Sequence, residues 1–132
     1  MDEGAHPPDL EEIRTVAEAT RAAFPAPFAA LAAEVVLVVA EWPEDDLLDE
    51  MDMDDAYDLT GVYEGEALTE RSVDFPSPPS RVTLFRRPIL DEWAGRGDVG
   101  WKALVTHVTV HEFAHHFGWS DDDIAAIDRW WE

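Results

Sequence analysis

Five residues near the C-terminus have the types and spacing to hold a metal ion: His111-Glu112-x-x-His115-x-x-Gly118-x-x-Asp121. On a helix, residues four apart lie one above the other, so His111 and His115 can offer two imidazoles to one zinc ion. Glu112 stands beside them, within reach of a proton on a zinc-bound water. Gly118 suits the left-handed residue that ends many helices. The chain can then turn and bring Asp121 back as a third protein ligand, with Asp122 and Asp123 as alternatives. The same acids also suit the start of a following helix, where Ser120 and Asp123 have the spacing of a capping box. Three protein ligands leave a fourth position for water, the arrangement of a catalytic rather than a structural zinc site. Zinc brings the pKa of such a water down to about 7, so a hydroxide-like nucleophile is available at neutral pH.

The element that must position these groups is a helix expected over residues 99–117. Gly95-Arg96-Gly97 forms a joint before it, and Asp98 is its expected N-cap. Trp101, Leu104, Val105 and Val108 make an apolar stripe that runs on into His111, Glu112 and His115. Val110, Phe113, Ala114 and Phe117 occupy the other side, and a helix apolar on two sides belongs in the middle of a domain. The histidines and the glutamate are therefore expected on an inward face, where they would be costly unless bound or hydrogen-bonded. The plain alternative is a helix with surface histidines and a solvated glutamate. His107 lies four residues before His111 and reads as exposed or packed; His116 points about 100° away from His115 and is not expected to ligate.

Upstream, Asp9 can cap a helix from about Leu10 to Phe24, with Ile13, Val16, Ala17, Thr20 and Phe24 on one face. Pro25 and Pro27 break it, and a short helix over about 28–33 follows. Residues 34–42 are rich in valine and read as a buried strand. Residues 44–58 hold nine acids and no base, which suggests a solvated loop; they lack the spacing of a regular calcium-binding loop. Met51 and Met53 within it are expected to touch the core. Residues 59–65 read as a strand ending in a glycine turn, and residues 81–87 as a half-buried strand at the sheet edge. Pro88 suits the first turn of a short helix through about Ala94, and a last helix is expected over about 124–131, packed through Trp130 and Trp131.

The chain has 132 residues, enough for one domain; residues 1–8, ending in Pro7-Pro8, read as a flexible tail and 9–132 as the domain. Six tryptophans and six phenylalanines supply large pieces of core, and the absence of cysteine excludes disulfides, thiolate zinc sites and cysteine nucleophiles. The net charge is −21, carried mainly by residues 1–80, where 21 acids face 3 bases. Such a field repels nucleic acid and anionic membrane. No secretory signal or membrane-length apolar run is visible, so the cytoplasm is the expected location.

The pattern of His111, Glu112, His115, Gly118 and Asp121 resembles that of the small bacterial zincin-like metallopeptidases. The strand-like 59–65 and 82–88 are similar to segments upstream of the helix in that family, and the resemblance covers roughly residues 10–130. It implies a compact α+β domain with a small mixed sheet packed against the active-site helix. It also implies a bound Zn2+ held by His111, His115 and Asp121, Glu112 as general base, and a peptide or protein substrate. No methionine follows Met53, so the Met-turn of the metzincins is missing, and only Asp128 and Glu132 are left as a late acidic ligand of the gluzincin type. Tyr63, Arg86 and His107 are candidates for stabilising an oxyanion, though each reads first as a structural residue. A substrate is expected to pair with the strand near 81–87. The rival readings are a zincin-fold module that binds metal or peptide without turnover, a protein whose acidic 44–58 segment recruits a basic partner, and zinc hydrolysis of a non-peptide bond.

Overall fold

Asp9 starts the first helix as its sequence suggests. Its carboxylate accepts a hydrogen bond from the Glu12 backbone N–H at 2.7 Å, and the Glu12 carboxylate accepts from the Asp9 N–H at 3.1 Å. This reciprocal cap opens α1 (Leu10–Ala22), whose Ile13, Ala17 and Thr20 are buried. The structure is a computed structural model and describes residues 6–65 and 79–119. After α1 the prolines turn the chain into a short α2 (Phe28–Ala32), and β1 follows over Val36–Ala40. Then come α3 (Asp45–Glu50), a 3-10 turn (Ala56–Asp58), β2 (Gly61–Glu64), β3 (Arg81–Phe85), α4 (Arg86–Arg96) and α5 (Trp101–Phe117). Among the described residues this is an α+β domain: five α-helices around one small mixed sheet. None of the described helices is long and apolar enough to cross a membrane. Asp121, Trp130, Trp131 and the expected last helix lie outside the described residues.

The strand order is β1-β3-β2, with β1 parallel and β2 antiparallel to β3. This corrects the edge position expected for 81–87. The alternation suggested one solvated face, but Val82, Thr83, Leu84 and Phe85 are all buried, and Arg86 and Arg87 already belong to α4. A strand covered on both faces sits in the middle. Val82 and Leu84 join Leu37 of β1 in the main core, beside Ile13 and Ala17 of α1, Ile89 of α4 and the apolar side of α5.

The other side of the sheet has its own small core of Leu48, Leu59, Val62 and Phe85. Here the acidic segment departs from expectation. It is no solvated loop: α3 and the 3-10 turn fold over the sheet, with Leu48 and Leu59 buried and the acids left outward. Leu47, Leu48, Met53, Ala56 and Leu59 were enough to dock it, although carboxylates outnumber them. Met53 packs on this core as expected; Met51 is exposed.

Trp101, Leu104, Val105, Val108, Val110, Phe113, Ala114 and Phe117 of α5 are all buried, so α5 is the central helix its composition predicts. It starts two residues later than expected, with Gly100 rather than Asp98 at the N-cap. Gly118 ends it at φ 76°, in the left-handed region where glycine has no steric penalty. An aromatic cluster pins this end. Phe24 meets Phe113 and Phe117 at ring-centre distances of 5.8 and 5.5 Å, and Phe28 meets Phe117 and Trp119 at 5.0 and 4.9 Å.

Candidate metal centre and groove

His111 and His115 lie on one face of α5, with ring centres 5.2 Å apart and ring planes at 83°. Two imidazoles on one tetrahedral zinc, each nitrogen about 2.0–2.1 Å from the metal, have ring centres roughly 5 Å apart. The separation of the two rings matches that spacing. Asp121, the expected third ligand, falls outside the described residues, and among those residues no cluster of three metal-binding side chains forms.

The face that carries the pair opens onto a groove of about 610 Å³. His111, Glu112 and His115 form one wall. Leu59, Thr60, Gly61, Val62 and Tyr63 form another, so the groove runs along β2 rather than over one of its faces. Met51, Met53 and Asp58 from the acidic segment complete it. The expectation of a sequestered site is thus corrected. His111 and Glu112 are half-buried and His115 is exposed: β2 packs on Val108 and the stem of Glu112, and all three motif residues face the groove.

Glu112 is the most perturbed acid of the site. Burial against β2 disfavours its charged form and raises its pKa from 4.5 to about 7. The contact behind that burial is at Gly61: a Cβ added there would lie 3.0 Å from Val108 Cγ1 and 3.1 Å from Glu112 Cγ. Only a residue without a side chain lets β2 come this close to the motif.

The remaining candidates sort by contact. His107 is exposed, with its ring centre 6.3 Å from that of His111, and is not among the groove-lining residues. Arg86 is structural: its Nε donates to the Pro8 carbonyl at 2.8 Å and its Nη1 pairs with Glu41 at 3.0 Å. Tyr63 lines the groove, but its hydroxyl lies 2.8 Å from His116 Nδ1 and donates to Ser80 Oγ at 2.9 Å. His116 itself is fully buried. Its sequence position, one step around the helix from Phe113 and Phe117, was the signal for burial; its bond to Tyr63 on β2 had none.

The fold and the paired histidines define a zincin-type domain. The sequence model of the zincin-like metallopeptidase family matches residues 32–131, and the chain belongs to that family. Members of zincin families generally bind zinc. No curated protein matches the chain.

Proposed function

We propose that this protein is a zinc-dependent metallopeptidase acting on a peptide or protein substrate. The observation that carries the reading is the meeting of three features in one groove: the His111 and His115 pair, the half-buried Glu112 and the flank of β2. His111, His115 and Asp121 would hold the metal, which supplies a polarised carbonyl and an acidified water when bound. An extended substrate would lie along β2, the outer strand beside α5 among the described strands, in place of the central 81–87. Glu112 would accept the proton of the attacking water as oxygen bonds to the carbonyl carbon. It would return that proton to the nitrogen as the C–N bond breaks. In the metal-free protein burial raises its pKa to about 7, and a cation bound beside it would favour the charged carboxylate that a base requires. A net charge of −21 disfavours nucleic acid as the substrate and suits a soluble protein of the cytoplasm.

The test is Glu112→Gln. The variant should fold, keep one zinc per chain and lose cleavage of a mixed peptide library; retained cleavage would remove Glu112 as the base. Wild-type protein that binds zinc but cleaves no peptide across pH and salt would support a binding module instead.

A further inference from the structure

We propose that Ser80, Tyr63 and His116 form a positioning device that locks the last turn of α5, and with it His115, to the β2 wall of the groove. The inference rests on the reading of His115 as a zinc ligand. The three side chains come from three places: Ser80 immediately precedes β3, Tyr63 lies on β2, and His116 lies in the final turn of α5. The Tyr63 hydroxyl donates to Ser80 Oγ at 2.9 Å and lies within hydrogen-bond distance of His116 Nδ1, at 2.8 Å. These bonds tie the imidazole to β2, with its ring centre 5.5 Å from that of the tyrosine and the two planes tilted by 59°.

Physical chemistry argues that this chain is more than filling. His116 and Ser80 are buried at 0% and 2% exposure, where an aliphatic side chain would pack without needing partners. A buried polar network gives up that ease for geometry, since hydrogen bonds specify distance and angle while apolar contacts tolerate sliding. The place matters too. The ends of helices fray, and Gly118 stops α5 two residues after His116. His115 is exposed on that turn. Its neighbour supplies the anchor from a face about 100° further round the helix. Because Tyr63 also lines the groove, the same bonds set the spacing between the strand edge and the histidine pair.

The experiment measures zinc affinity by competition with a chromophoric chelator, the visible spectrum of the cobalt(II)-loaded protein, and thermal stability of the metal-free protein. Tyr63→Phe keeps the ring and removes the hydroxyl. It should weaken zinc binding about 10-fold and shift the cobalt spectrum, the size expected when a group that orients a metal ligand is lost. Ser80→Ala removes only the distal hydroxyl and should act in the same direction less strongly; it also serves if Tyr63→Phe folds poorly. Ile89→Val, in the core contributed by α4, should lower stability comparably and leave both metal readouts unchanged. Wild-type zinc affinity and spectrum in Tyr63→Phe and Ser80→Ala overturn the proposal, as does an equal loss in Ile89→Val. Failure of the wild-type chain to bind zinc at all would instead bring down the metal site, and this proposal with it.

Discussion

Gly61 of β2 and Glu112 of α5 pack so closely that a methyl group on the glycine would lie 3.1 Å from Glu112 Cγ. Leu84 Cδ2 and Val108 Cγ1, at 3.3 and 3.0 Å, leave that methyl no other direction. Gly61→Ala should therefore destabilise the fold by about 1–3 kcal/mol, less a few tenths regained from the unfolded chain. It should also displace Glu112 and reduce peptide hydrolysis more than it reduces zinc affinity. Chemical denaturation, zinc titration and cleavage rate on the same samples would separate these effects; unchanged hydrolysis would show that the contact does not position the carboxylate.

The raised pKa of Glu112 gives the metal-free protein a distinct pH dependence. Between 4.5 and about 7 the folded state holds the Glu112 proton while the unfolded state has released it. More protons bound in the folded state means that stability falls as pH rises. The contribution is fully present below pH 4.5 and gone above about 7, with a size of roughly 1–3 kcal/mol after allowing for solvent at a half-buried group. Glu112→Gln should flatten the profile in that window. Denaturant midpoints from pH 4.5 to 8 in the presence of a chelator provide the check, and parallel profiles for the two proteins would contradict it.

Of the three histidines stacked along α5, only two line the groove. His111→Ala and His115→Ala should each weaken zinc binding by roughly two orders of magnitude, since losing a ligand exceeds the 10–100-fold effect of losing its support. His107→Ala should leave affinity within about twofold, the ordinary scatter for a surface change. Calorimetry of the metal-free variants would settle the assignment; a large loss in His107→Ala would extend the site by one turn.

Asp58 lines the groove, and among the described lining residues there is no lysine or arginine. Peptides with a basic side chain near the scissile bond should be cleaved faster than their acidic counterparts. Asp58→Lys should reduce that preference by about 3- to 10-fold, the scale of a pairwise interaction at an exposed charge. Matched lysine and glutamate peptides at two salt concentrations test it, because a genuine charge effect shrinks as salt rises.

How far the sequence foretold this site depends on the range of the interactions involved. The helix face, the stacking of His111 over His115 and the Gly118 stop are local, and the periodicity of α5 made them readable. The order of the strands is non-local. The alternation in Arg81–Phe85 reveals a strand, but whether Thr83 and Phe85 face solvent depends on α3, whose nine-acid neighbourhood concealed a docking face of Leu47 and Leu48. The contacts of Gly61 with Glu112 and of Tyr63 with His116 join residues about fifty positions apart. Neither has a composition or spacing signature within its own segment.

The family match starts at residue 32, yet the rings of Phe24 and Phe28 lean on Phe113 and Phe117, the two phenylalanines that flank His115. The segment that evolution marks out and the segment that folds are thus different lengths of chain. Trimming the protein to the matched boundary would strip the hydrophobic cladding from the very turn that displays His115. A fragment that keeps this cladding and the Asp9 cap of α1 should begin ahead of Asp9.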